Sequence, residues 1–190
     1  MAYQVLPATA PLWPALERLF GRGGASNGCW CMYWLLGPEY HRRDRALNRQ
    51  ALRASVEQGP PPGLLAFAEG ADPERDAAIG WLRLTPRAEL AWLNAKREFA
   101  PVDEQPVWSV SCLYVGSRHR RSGVAGALVR AAVEQAAAGG APAVEAYPVD
   151  ASVPGATRNA FTGYLTTFLA AGFTEVARRA PARPIVRHPA

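Results

Sequence analysis

Apolar positions along this 190-residue chain recur with two periods, and the changes of period predict the elements. Positions 3–6 read as a short apolar strand ended by Pro7. Leu12, Leu16, Leu19 and Phe20 then share one side of a helix, which Gly21 and the loose Gly23-Gly24 close. The aromatic-rich stretch 29–36 reads as a strand. A second helix over 42–58 carries a narrow stripe of Leu47, Ala51 and Leu52 beside a solvated face of arginines, and Pro60-Pro61-Pro62-Gly63 stops it. Positions 64–68 and 78–84 form an antiparallel hairpin with a long polar connection, and 90–98 reads as a short helix in a loop. The longest strand, 107–115, alternates Trp108, Val110, Cys112 and Tyr114 against Ser109, Ser111, Leu113 and Val115, so both faces are at least partly buried. A helix over 122–138, a strand over 144–147, a helix over 158–171 and strands over 173–177 and 185–187 complete the pattern.

The strand–helix–strand run from 107 to 147 makes a crossover, which places its two strands parallel and adjacent. The upstream hairpin requires antiparallel neighbours. The fold class is therefore α/β (α+β), one mixed sheet with helices on both faces. No internal repeat or linker divides 1–190, so a single domain is expected.

Composition supports a packed core, with 49% hydrophobic and 19% charged residues. The net charge of +5 comes almost wholly from arginine, Lys96 being the one lysine. Spread over the chain, that charge favours anionic ligands mildly and does not establish a nucleic-acid partner. Three cysteines, no basic leader and no apolar run near the length of a membrane span suggest a cytoplasmic protein. The arginine, alanine, glycine and proline bias suggests a bacterial source.

The sharpest chemical signal lies between the long strand and the helix after it, in Val115-Gly116-Ser117-Arg118-His119-Arg120-Arg121-Ser122-Gly123-Val124-Ala125-Gly126. Gly123 and Ala125 fall in the first turn of a helix, where four backbone N–H groups have no intrahelical partner. Small side chains let a ligand oxygen reach those donors, and the helix dipole favours its negative charge. Arg118, Arg120 and Arg121 add attraction for phosphate. The dinucleotide fingerprint fails because position 121 is arginine, and the nucleoside-triphosphate loop fails because no lysine stands there. The alternative is a helix merely capped by Ser122 among solvated arginines.

Arg120, Gly123 and Ala125 stand at the three fixed places of the pyrophosphate signature of the GNAT superfamily of acyl-coenzyme A N-acyltransferases, which the segment resembles. Downstream, Phe168-Leu169-Ala170-Ala171-Gly172-Phe173 is similar to that superfamily's closing helix–turn–strand segment, and the order of elements agrees. The resemblance implies a GNAT-like, mostly antiparallel sheet with a splayed parallel strand pair. It implies an N-acetyltransferase using acetyl-coenzyme A as co-substrate. Val115, Arg120, Arg121, Ser122, Gly123, Val124, Ala125 and Gly126 would then hold the diphosphate, and the pantetheine arm would enter between 113–115 and 146–147. An N–H near Leu113 or Tyr114 would polarise the thioester while a neutral amine attacks it directly in a ternary complex.

Two departures stand out. The superfamily's frequent tyrosine acid is Phe168 here, and its frequent asparagine is Phe161. Tyr164 and Tyr147 are the candidate substitutes, although a thiol with a pKa of about 8.5 leaves tolerably without an acid. Glu145 shares a strand face with Tyr147, giving either an acid/base pair or a strand end paired with arginine, and Asp150 lies close by. Cys112 is a nucleophile or, more simply, a small buried hydrophobe. Cys29, Cys31 and His41 lack an evident fourth ligand, so no metal is expected. Trp30, Tyr33 and Trp34 belong to the core or to the wall of an acceptor pocket. The implied partner is a small-molecule or peptide amine, with no nucleic acid and no membrane, in a monomer or homodimer. The alternative is an acyl-coenzyme A-binding or regulatory domain without turnover.

Overall fold

The computed structural model describes residues 3–156 and 160–190. Strands β1 (Gln4–Pro7), β2 (Gly63–Phe67), β3 (Gly80–Pro86) and β4 (Trp108–Val115) pair antiparallel in chain order. β5 (Ala143–Ala146) joins β4 in parallel, and the C-terminal hairpin of β6 (Thr174–Ala180) and β7 (Arg183–Pro189) adds on through β7. The order β1-β2-β3-β4-β5-β7-β6 is the mixed, mostly antiparallel sheet expected, with one parallel pair.

Both faces are covered. Helix α6 (Val124–Ala138) buries Val124, Leu128, Val129, Ala132 and Ala136 against Leu82, Val110 and Val144, and Phe168 of α7 (Leu165–Leu169) joins that layer. On the other face α1 (Trp13–Phe20) and α4 (Arg45–Gln58) pack Leu16 and Leu52 on Leu65 and Trp81. Each large aliphatic side chain so removed from water contributes about 1.5–3 kcal/mol. All five residues of β2 are buried, as a central strand sandwiched between helices requires.

Two irregularities in β4 position the site. Its pairing with β5 covers only Trp108↔Val144, Ser109↔Glu145 and Val110↔Ala146, after which the strands part. On the opposite edge Arg83 faces Cys112 and Leu84 faces Val110, so Ser111 is the extra residue of a β-bulge.

The structure corrects four of the expected elements. Segment 29–36 is not a strand: Trp30 and Cys31 adopt φ of 46° and 57°, and 33–36 is the short helix α2 (Tyr33–Leu36). Trp30 is pinned between Trp13 and Phe20, with ring centroids at 6.0 and 5.4 Å, and this packing overrides the strand propensity of the aromatic run. The helix read over 42–58 starts only at Arg45, as α4, and Arg42 ends a separate helix α3 (Glu39–Arg42), because Asp44 takes an extended conformation and accepts the Ala46 N–H at 2.8 Å. The helix read over 158–171 is reduced to α7, its first two positions lying outside the described residues. Gly163, at φ 77°, and the extended Tyr164 exclude a helix before Leu165. The stretch 90–98 holds only α5 (Ala91–Asn94) and a following 3-10 turn.

Candidate functional site

β4 ends at Val115 and α6 begins at Val124. In the loop between, Arg121 and Gly123 take left-handed φ of 61° and 93° among right-handed or extended neighbours, a combination that forms anion-binding concavities of backbone N–H groups. The loop's carbonyls are tied back: Arg120 Nε donates to Val115 O at 3.2 Å, the Ser122 hydroxyl to His119 O at 2.6 Å, and the Tyr3 hydroxyl to Ser122 O at 2.6 Å. Its amides are not. Among the described residues no acceptor takes the backbone N–H groups of Arg120, Arg121, Ser122, Gly123, Val124, Ala125 or Gly126. A Cβ on Gly123 would meet only the Tyr3 ring, at 3.9 Å, so the space before these donors is open. Arg118, Arg120 and Arg121 are exposed around it. The donor set suits a diphosphate, which needs many hydrogen bonds and positive charge but no metal. The residues expected to hold it are thus brought together.

The gap where β4 and β5 part is bridged by the segment before α7. Leu113 donates its N–H to Phe161 O at 2.7 Å, while Val149 N–H reaches Gly163 O and Leu165 N–H reaches Val149 O, each at 2.9 Å. A Cβ on Gly163 would lie 2.9 Å from Leu113 Cδ2 and 3.0 Å from Phe168 Cε2, so only glycine allows this close approach. Successive amides of a strand point to opposite edges. Leu113 therefore faces the gap, and Tyr114, paired with Trp81, faces β3. Of the two amides expected to polarise a thioester, only that of Leu113 has the right direction, and it is already engaged.

Glu145 and Tyr147 lie on one face, as the period of two predicts, but inside the core, both with no exposed surface. Tyr147 Oη donates to Glu145 Oε1 at 2.7 Å and lies 2.9 Å from Ser109 Oγ. Arg87 Nη1 also bonds Glu145 Oε1, and Arg187 Nη2 bonds Oε2 at 2.9 Å. Burial first, and then the charge of Glu145, push the Tyr147 phenol well above its usual range. Arg87 donates further to Asn94 Oδ1 and Phe99 O. Asp150 accepts from the Ser152 hydroxyl at 2.6 Å and from Arg178 at 2.8 Å, and these bonds hold its carboxyl below the ordinary range. Tyr164 is 43% exposed at the start of α7, off the helical face of the fully buried Phe168.

Beside Ser111 and Cys112 of β4 opens a pocket of about 510 Å³ that sequence reasoning anticipated only in part. Tyr33, Trp34, Tyr40, Phe99 and Phe161 supply aromatic walls, whereas Trp30 is core. Glu98 is its one carboxylate among the described residues, with His41, Lys96 and Arg183 as its other ionisable nitrogen groups. Arg183 donates to Thr162 Oγ1 at 2.9 Å, and Lys96 Nζ stands 4.2 Å from the Trp92 ring centre. Nothing in the sequence pointed to Glu98, which sits in a 3-10 turn far in the chain from the loop of open amides. Among the described residues, no group of three or more His, Cys, Asp or Glu side chains is arranged to hold a metal, and no helix is long and apolar enough to cross a membrane.

A model of the acetyltransferase (GNAT) family matches residues 29–159. Among solved structures, the PaiA N-acetyltransferase of Thermoplasma acidophilum, in complex with coenzyme A, aligns over 100% of both chains at 13% identity and a TM-score of 0.56. An acetyltransferase related to histone acetyltransferase HPA2, from Corynebacterium glutamicum, covers 100% of this chain and 97% of its own at 19% identity and 0.57. YncA of Salmonella typhimurium, a putative acetyltransferase with acetyl-coenzyme A, covers 100% and 94% at 14% identity and 0.56. At these identities the likeness is one of fold. No curated protein matches the sequence.

Proposed function

Because the chain belongs to the acetyltransferase (GNAT) family, we propose that it transfers an acetyl group from acetyl-coenzyme A to an amine bound in the aromatic pocket beside Ser111. The observation that carries this reading is the run of open amides from Arg120 to Gly126 at the start of α6. Acetyl-coenzyme A, when bound, supplies the acetyl group as a thioester. The loop amides and Arg118, Arg120 and Arg121 hold the diphosphate, and Val115 anchors the loop through the side chain of Arg120. Leu113 is the amide that stabilises developing negative charge, once the carbonyl of Phe161 gives up its place. Glu98 takes the proton of the incoming ammonium, directly or through water, leaving a neutral amine for direct attack. Tyr164, the expected acid that reaches solvent, is the candidate donor to the leaving sulfur. Glu145 and Tyr147 hold the floor of the site in shape through Arg87 and Ser109.

A second reading, an acyl-coenzyme A-binding domain without turnover, draws support from the engaged Leu113 amide and from Phe168 in the tyrosine position. One pair of experiments separates the two. Calorimetry with coenzyme A is expected to show binding that Gly123→Val weakens at least tenfold, since a β-branched residue at φ 93° both strains the loop and fills the approach. An amine library screened for thiol release is expected to find at least one acceptor. Binding without release for every amine favours the second reading, and unchanged affinity in the variant removes the loop from both.

A further inference from the structure

Two thiols and a guanidinium on the pocket side of β4 have no part in acetyl transfer. Cys31 Sγ donates to Cys112 Sγ at 3.1 Å, and both line the pocket while only 4% and 8% exposed. The Trp81 indole N–H donates to Cys31 Sγ at 3.1 Å. Arg83 faces Cys112 across the β3–β4 register, is 3% exposed, and leaves Nε and Nη1 without a hydrogen-bond partner among the described residues. The ionisable groups that act on it are Cys31, Cys112, Glu89 and Cys29. No described carboxylate forms an ion pair with it.

A guanidinium keeps its proton in proteins, and a buried charge without a counter-charge is expensive. The register sets Cys112 opposite this cation, and positive charge beside a thiol favours the negative charge that develops on its sulfur as it reacts. We propose that Cys31 and Cys112, set beside the Arg83 guanidinium, are an oxidisable pair for small hydroperoxides entering through the pocket. Burial and the neighbouring Cys112 push the Cys31 thiol well above the ordinary range. Cys29 lines the same pocket, but burial raises it to about 11. It stays a neutral thiol and serves as an internal control.

The chemistry balances. The Cys112 sulfur attacks a peroxide oxygen, an S–O bond forms as the O–O bond breaks, and the displaced oxygen takes up a proton and leaves as water or an alcohol. The Cys31 sulfur then attacks the Cys112 sulfenic acid, the S–O bond breaks, and hydroxide departs with the Cys31 proton as water. Two thiols lose two electrons to one hydroperoxide and end as a disulfide. On the acetyl-transfer reading, which this consequence alone rests on, the link reshapes the pocket beside Ser111 and lowers amine turnover. The coenzyme A loop, beyond Val115 where β4 ends, keeps its affinity.

The test uses the full chain treated with hydrogen peroxide, then alkylated, digested and examined by mass spectrometry. The expected product is a Cys31–Cys112 cross-linked peptide, reversed by dithiothreitol, with Cys29 recovered alkylated. Arg83→Met is expected to slow the reaction at least tenfold and Arg83→Lys to restore part of it. Should Arg83→Met fail to fold, Cys112→Ser is treated in the same way and is expected to give no cross-link to Cys31. Links through Cys29, an unaffected rate in folded Arg83→Met, or a wild type without the Cys31–Cys112 cross-link overturns the proposal. Coenzyme A calorimetry and amine turnover are read on reduced and oxidised protein together. Failure of turnover in the reduced protein counts against the acetyl-transfer reading, and the cross-link result stands by itself.

Discussion

Replacing Glu145 with glutamine separates a structural counter-ion from a catalytic base. The carboxylate has no exposed surface and is shared by Arg87 and Arg187, whose side chains are 9% and 14% exposed. Glu145→Gln keeps the volume and one acceptor but removes the charge that balances the more buried guanidinium. Arg187 retains Asp103, at 2.6 Å, whereas Arg87 retains only neutral partners, Asn94, the Phe99 carbonyl and the Tyr147 hydroxyl. Breaking a buried pair by removing one member costs about 3–5 kcal/mol. For a chain of this size each kcal/mol shifts the midpoint by about 2–4 °C, so a fall of roughly 6–20 °C is expected in calorimetry. The same variant, assayed well below its midpoint with an amine found by the library screen, is expected to keep kcat within about threefold and the pH–rate profile unchanged, a small effect on the barrier scale of 1.36 kcal/mol per tenfold. A midpoint within a degree or two of wild type, with kcat down a hundredfold or more, refutes this reasoning and restores Glu145 as the base.

Glu98→Gln is expected to act the other way, lowering kcat/KM at least tenfold while thermal scans barely change, because its side chain sits at a pocket wall. Gly163→Ala places a Cβ within 3.0 Å of Leu113 and Phe168 at φ 77°, and is expected to lower urea stability by about 1–3 kcal/mol. Alkaline stability follows from the raised thiols and phenol. Burial moves Cys29 from 9.0 to about 11, so between those values the unfolded chain has lost a proton that the folded chain still binds, and stability falls as pH rises. Each such group contributes about 1.36 kcal/mol per pH unit. Cys29→Ala is therefore expected to show a shallower decline in urea midpoint above about pH 9, and an equal slope would count against the burial of that thiol.

The sequence by itself determined the sheet's main strands and the small-residue loop of open amides before α6, because both rest on local chemistry. Alternating apolar residues from 107 to 115, a helix of small and branched residues from 124 and a Gly-Phe turn at 172–173 state their conformations within a few residues of themselves. Arg120, Gly123 and Ala125 are neighbours in the chain, so a donor set built from consecutive amides is visible as a motif. Only the tertiary structure decided everything that depends on distant residues meeting. Glu145 reads as a strand-end acid until Arg87 and Arg187, 58 and 42 positions away, enclose it. Trp30 and Cys31 read as strand residues until the packing of Trp13 and Phe20 turns them, and Glu98 carries no signal until its turn folds over the pocket. Conformational preference is a property of a few adjacent residues, whereas charge compensation, burial and access are set by whatever the fold brings alongside.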